Sequence, residues 1–182
     1  MKTNYKKIIK LATLLITSLL ITTVSASVYY SLTMSSTVSV ATTDVYFVLG
    51  ADNETAGVTL NSDNTTATLS ALKAYPNATT TYTDPLRVRN NATSGTTNIR
   101  LRPVSLSGSA NHFVFINFTL NDGTNVKASL NYTSDGSSWT IPSTTGWISI
   151  PASTEWYITI ETKAKEGATS SSVSIVIAVD VE

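Results

Sequence analysis

Phe113-Val114-Phe115-Ile116-Asn117-Phe118-Thr119-Leu120-Asn121-Asp122-Gly123-Thr124-Asn125-Val126-Lys127-Ala128-Ser129-Leu130-Asn131-Tyr132 is the stretch that decides the architecture. Two strand-length runs, Phe113 to Leu120 and Val126 to Tyr132, flank Asn121-Asp122-Gly123-Thr124. Asp-Gly supplies the φ > 0 conformations of a tight hairpin turn, so the stretch reads as two antiparallel strands. A second Asp-Gly, Asp135-Gly136, joins Tyr132 to a strand at Trp139. Working outward, short runs recur with turn residues between them. Val45 to Leu49 is apolar throughout and reads as a buried strand; Val58 to Leu60 and Ala67 to Leu69 are short. Leu86 to Arg89 and Ile99 to Leu106 flank the polar stretch Asn90 to Asn98 and read as another hairpin. Trp147 to Ile150, Glu155 to Thr162 and Ser172 to Val181 complete the set, while Thr79 to Thr83 and Ala168 to Ser172 read as loops. The last strand is apolar on both faces, which predicts a covered, central position. About ten short strands with frequent turns predict an all-β chain: a single Ig-like or jelly-roll β-sandwich over residues 44–182.

The first forty residues are of a different kind. Lys2, Lys6, Lys7 and Lys10 precede an apolar run from Leu11 to Thr23, and Val24-Ser25-Ala26 carries the small residues of a signal-peptidase site. This predicts a secretory signal over 1–26. Beyond it, Val28, Tyr30, Leu32, Met34, Val38 and Val40 occupy even positions, interrupted by Ser36, and Ser31, Thr33, Ser35, Thr37 and Ser39 the odd ones. Period two gives one apolar and one hydroxyl face. No charge, Gly or Pro occurs from Ser27 to Thr43. A strand over the alternating run Val28 to Val40 spans roughly 40 Å, about twice the usual. An uncharged, half-apolar strand leaving a domain is an aggregation hazard unless it is paired. Residues 27–43 are therefore expected either to be lent to a neighbour's sheet or to form the first strand of the chain's own sandwich.

Composition narrows the function classes. After residue 26 about 156 residues remain (182 − 26), enough for one domain with a sizeable core. Four of the twelve basic residues lie in the signal and all twelve acidic ones beyond it, so the exported part carries 8 − 12 = −4. That argues against a nucleic-acid partner. Charged residues make up 13% of the chain, against an average of about 25%, and Ser and Thr take their place at about 30%. There is no cysteine, which removes disulfide scaffolds, thiolate metal sites and thiol nucleophiles. No apolar run beyond the signal approaches the length of a membrane span.

No catalytic constellation emerges, and no cofactor or metal is expected. His112, the single histidine, opens a strand. Asp122 and Asp135 sit in Asp-Gly turns, where geometry explains them. Glu155 and Glu161 are six apart on one strand, roughly 20 Å, too far for a glycosidase pair. Two further features remain. Asn53, Asn64, Asn77, Asn91, Asn117 and Asn131 each begin an Asn-x-Thr sequon without Pro, a surface acceptor for N-glycans on an exported chain. In a chain this rich in Ser and Thr some will match by chance. Asn117 is the doubtful one, because Phe115 and Phe118 beside it read as buried. The other feature is a quartet: Arg87 and Arg89 share one strand face, Arg100 and Arg102 another. If their strands pair as a hairpin, the four form one patch, either a solvated face or an inter-subunit or glycan contact.

The order of parts resembles the thread and bundling-pilus subunits of thermophilic archaea: a signal, then Val28-Tyr29-Tyr30-Ser31-Leu32, then a sandwich ending in a long strand. Tyr82 to Pro103, with Leu86-Arg87-Val88-Arg89-Asn90-Asn91 before a polar turn and Ile99-Arg100-Leu101, also resembles the TasA/camelysin-type matrix-fibre proteins. The resemblance implies a cell-surface filament of identical subunits, each lending its N-terminal strand to the next. The peptidase activity attributed to some camelysin relatives is not implied, since no metal-ligand set is present. Two other readings stay open. A type IV pilin-like subunit would keep the apolar helix Leu11 to Ala26, but Lys10-Leu11-Ala12 offers no suitable cleavage site. A carbohydrate-binding or S-layer accessory module would use Trp139, Trp147 and Trp156 as a platform, although packing is the expected use of at least two of them.

Overall fold

The computed structural model describes residues 5–6, 9–15, 44–168 and 172–182. The chain divides into two units, Met1–Val40 and Ala41–Glu182. In the first, residues 5–6 and 9–15 are helical. Among the described residues no helix is long and apolar enough to cross a membrane. The cleavage site at Val24-Ser25-Ala26 and the strand expected over 27–43 lie outside the described residues.

The second unit is a two-layer antiparallel β-sandwich. Its strands are β1 (Val45–Leu49), β2 (Val58–Leu60), β3 (Thr66–Leu69), β4 (Thr79–Asn90), β5 (Thr96–Gly108), β6 (Phe113–Asn121), β7 (Val126–Ser134), β8 (Trp139–Thr140), β9 (Ile148–Pro151), β10 (Thr154–Ala164) and β11 (Val173–Val181). One short helix, α1 (Asn53–Ala56), follows β1. One sheet has the order β1-β4-β10-β6-β7-β8 and the other β2-β3-β11-β5-β9. Alternation does the sorting. On β10, Trp156, Ile158, Ile160, Thr162 and Ala164 point inward, while Glu155, Tyr157, Thr159, Glu161 and Lys163 stay partly exposed. Phe47, Leu69, Leu86, Leu101, Phe118 and Ile158 lie in the shared core. Each such side chain contributes about 1.5–3 kcal/mol relative to exposure.

The Asp-Gly hairpins form as expected. β6 and β7 pair from Asn121↔Val126 to Phe115↔Thr133, with a bulge near the turn, and Gly123 and Gly136 take φ of 92° and 93°. β11 lies between β3 and β5, the central position its two apolar faces predict. Three expectations are corrected. Thr79 to Thr83 is strand, not loop: Thr79 to Thr81 pair with Lys163 to Glu161 of β10, and β-branched threonines suit a half-exposed strand. Val45 to Leu49 is an edge strand, with Val45 and Phe47 buried and Leu49 exposed. β4 and β5 do not form a hairpin. β4 pairs with β1 and β10, and β5 with β11 and β9, so the chain crosses between layers at residues 91–95.

Candidate functional site

That crossing divides the arginine quartet. Arg87 and Arg89 lie on the outer face of the six-stranded sheet, and Arg100 and Arg102 on that of the other. There is no single patch. Each pair is met by carboxylates, two for Arg87 and Arg89 and one for Arg100 and Arg102. Arg87 binds the Asp84 carboxylate at 2.5 Å and Glu155 at 3.2 Å, and Arg89 reaches Glu155 at 3.4 Å. Arg100 and Arg102 share Asp180, each at 3.0 Å. A carboxylate between two guanidinium groups removes the cross-strand repulsion that a bare quartet would suffer. The Arg87 hydrogen bond holds the Asp84 carboxyl below the ordinary range.

No sequon asparagine is buried. Asn77, Asn91 and Asn131 are exposed, and Asn53, Asn64 and Asn117 half-buried. Asn64 and Asn77 have φ of 55° and 59°, a left-handed conformation that asparagine tolerates better than most residues, so local geometry also favours the residue there. Asn117 does not face the core. Phe118 points inward, whereas Asn117 lies on the outer face, directly opposite Asn131 of β7.

The turn aspartates are committed to their own loops. Asp122 Oδ1 accepts the Thr124 and Asn125 N–H groups, and Oδ2 binds Lys127 at 2.7 Å. Asp135 accepts the N–H groups of Ser137 and Ser138, each at 2.7 Å. The Lys127 contact for Asp122, and the Ser138 and Ser137 N–H groups for Asp135, hold both carboxyls well below their usual range. His112 ends a 3-10 turn, Ala110–His112, just before β6. Among the described residues no group of three or more His, Asp or Glu is placed to hold a metal. Of the tryptophans, Trp156 is buried, Trp139 packs against Phe113 with centroids 5.6 Å apart, and Trp147 is 42% exposed with the Arg100 guanidinium 4.5 Å above its ring.

Four polar side chains of buried residues carry no signal in the sequence. Asn90 is fully buried, donating to the Ile150 carbonyl at 3.0 Å and accepting the Ala92 N–H at 3.0 Å, which ties β4 of one sheet to β9 of the other. Thr162 donates to the Lys73 carbonyl, while the Tyr82 hydroxyl accepts the Lys73 N–H at 2.6 Å, fixing the irregular segment before β4. The Tyr132 hydroxyl is buried with no hydrogen-bond partner among the described residues, and burial raises its pKa. Only the tertiary context distinguishes these from other Asn, Thr and Tyr residues.

The sheet edges are the remaining candidates for contact with another chain. At β1 the Phe47 N–H donates to the Asn64 carbonyl at 2.6 Å, so Asn64 lies against the middle of that edge. β2 has three residues and β9 four. β8 pairs only with Thr133 and Ser134 of β7, leaving Val126 to Tyr132 without a strand on that side among the described residues. Comparison with known proteins adds no relative: no family model matches the chain, and no curated protein does.

Proposed function

We propose that this chain is a non-enzymatic structural subunit of a secreted, N-glycosylated extracellular filament, in which residues 28–40 of one copy add as a strand to the sandwich of the next. The observation that carries this reading is a contrast between two parts of the chain. The eleven strands between Val45 and Val181 supply a two-layer core. Ahead of them stands an uncharged, period-two segment nearly three times the length of the adjoining β1. A sandwich with that many strands of its own leaves the segment available to a partner. The resemblance to thread and bundling-pilus subunits supports the same reading. So does the commitment of the turn aspartates and the arginine ladders to internal contacts.

Electron microscopy of the purified full-length product, beside a variant lacking residues 28–40, tests the proposal. Fibres are expected from the first and a folded, fibre-free domain from the second, capped as a monomer by a peptide of residues 27–43. Native-looking fibres from the deletion variant overturn the mechanism. One observation favours a carbohydrate-binding module as a second reading: the exposed Trp147 ring stacked on Arg100. A single ring makes a small platform, and a monomer whose tryptophan fluorescence responds to polysaccharide would favour that reading over the filament.

A further inference from the structure

The geometry points to the open edge of β7, from Val126 to Tyr132, as the place where residues 28–40 of a second copy add as a strand. This inference rests on the filament reading and specifies the surface that the reading leaves undefined.

Seven residues of this edge have no strand beside them on the open side among the described residues. β5 runs further past its pairing with β9, from Arg100 to Gly108, but there Thr145 bonds both main-chain groups of Leu101 and the Trp139 indole N–H donates to the Gly108 carbonyl. At about 3.3 Å per residue the seven residues of β7 run roughly 23 Å. The opposite wall is the connection from β8 to β9. A groove of about 530 Å³ lies between the two, lined by Ala128, Ser129 and Asn131 on one side and Pro142, Thr145 and Ile148 on the other. The connection is held away from β7 by bonds to the other sheet. The Thr145 N–H donates to the Leu101 carbonyl at 3.0 Å, and the Leu101 N–H donates to Thr145 Oγ1 at 2.9 Å. With both bonds made to β5, the connection does not serve the β7 main chain. Apolar side chains bracket the opening: Val126 at one end is 66% exposed, and Ile141, the first residue past β8, is 54% exposed.

The occupant is chosen by chemistry. The outer face of the six-stranded sheet changes character along its width. On β4 and β10 it carries Arg87, Arg89, Glu155, Glu161 and Lys163. On β6 and β7 it carries Asn117, Thr119, Ser129, Asn131 and Thr133, and the one charge of this edge, Lys127, which also lines the groove, is already paired with Asp122 at 2.7 Å. A strand added beside β7 continues both faces of the sheet. Its outer face meets amides and hydroxyls, and its inner face extends the row of Ala128, Leu130 and Tyr132. Residues 28–40 match on both sides, with Ser31, Thr33, Ser35 and Thr37 on one face and Val28, Tyr30, Leu32 and Met34 on the other. A charged strand would leave its charges unpaired there. The other edges fit less well, β1 because the Asn64 carbonyl already accepts the Phe47 N–H there, β2 and β9 because they are short.

Cysteine cross-linking tests the assignment on a background free of native cysteine. Adjacent strands lie about 4.8 Å apart, within the Cα separation a disulfide bridges. Full-length double variants pair Ser129→Cys on β7 with Ser31→Cys, Thr33→Cys, Ser35→Cys or Thr37→Cys in turn. A control set pairs the same four with Thr59→Cys on β2. Under mild oxidation, at least one β7 combination should give a ladder of covalent multimers on a non-reducing gel, at least tenfold above every β2 combination. Fibres without a β7 ladder, or with a stronger β2 ladder, overturn the β7 assignment and leave the filament reading standing. A β7 disulfide confined to monomers means the segment folds onto its own chain and overturns the second copy as occupant. Absence of both fibres and ladder overturns the filament reading and this inference with it.

Discussion

Replacing Tyr132 with Phe should stabilise the domain, although it removes a polar group from a strand and adds no contact. The Tyr132 side chain is fully buried, its ring edge-on to Phe118 with centroids 5.7 Å apart. Its hydroxyl has no partner among the described residues. A buried hydroxyl without a hydrogen bond costs about 1–3 kcal/mol, because the unfolded chain satisfies it with water. Removing the oxygen leaves a void of roughly 10–15 Å³, costing about 0.3 kcal/mol at ~24 cal/mol per Å³. The net gain is about 1–2 kcal/mol, with the ring packing retained. For a domain of this size, that raises the melting temperature by about 3–7 °C, using ~2.1 cal/mol/K per residue for the unfolding entropy. A second arm uses pH. Burial raises the Tyr132 pKa in the folded state above the ordinary value of 10.0. Stability attached to its neutral form is therefore present below pH 10 and lost as pH rises above it, by about 1.4 kcal/mol per pH unit. The advantage of Tyr132→Phe should widen above pH 10. Thermal unfolding by circular dichroism between pH 7 and 11 measures both effects. A melting temperature unchanged or lowered at pH 7 would refute the reasoning, because it would mean that the hydroxyl has a partner worth more than its burial costs.

Asn90→Ala should act in the opposite sense, destabilising by about 2–4 kcal/mol in urea unfolding, since it breaks three hydrogen bonds of a buried side chain and opens a cavity between the sheets; a loss under 1 kcal/mol would mean that the layers are not coupled through this residue. Stability should hold from neutral pH down to about pH 4 and decline below it. Asp84, Asp122 and Asp135 have folded-state pKa values below the ordinary 3.8, so their contribution is present above that value and lost as pH falls through the depressed ones; melts at pH 7, 5, 4 and 2 would show it, and a decline beginning at pH 6 would contradict it. Glycopeptide mass spectrometry of native protein should find Asn117 and Asn131 occupied on different molecules, never together, because cross-strand neighbours are only about 5 Å apart. Thr133→Ala, which destroys the Asn131 sequon, should raise occupancy at Asn117; molecules glycosylated at both would refute the exclusion.

How far the fold could be read in advance depended on sequence separation. The β6–β7 hairpin was legible because everything it needs is local: two strand-length runs and an Asp-Gly turn that accepts φ > 0. The central place of β11 between β3 and β5 was legible from its apolar character on both faces, although in two layers only the face of Val173, Ile175, Ile177 and Val179 is buried and Ser174 and Val176 stay half-exposed. Placing Asn117 on the solvent side required the register, since Phe115 and Phe118 lie on opposite faces across a single strand. The same register sets Asn117 against Asn131, a relation that neither sequon discloses alone. The β7 edge had no sequence signal at all, since it exists only because β8 stops after two residues and the chain beyond it bonds to β5.

The amino-acid sequence by itself determined the class of the protein: an all-β domain without thiol chemistry, preceded by an uncharged alternating segment. These are properties of composition and of the two-residue period, which any strand must obey. The tertiary structure alone decided which strands are partners. β4 and β5 adjoin in the chain and are joined by a short polar turn, so a hairpin satisfied every local requirement. They lie in different sheets because β4 finds partners on both sides in β1 and β10, and β5 in β11 and β9. Crossing between layers lets Leu86 and Val88 of β4 face Ile99 and Leu101 of β5 across one core. That choice is a competition among all eleven strands for edges and burial, and no segment read alone contains its outcome.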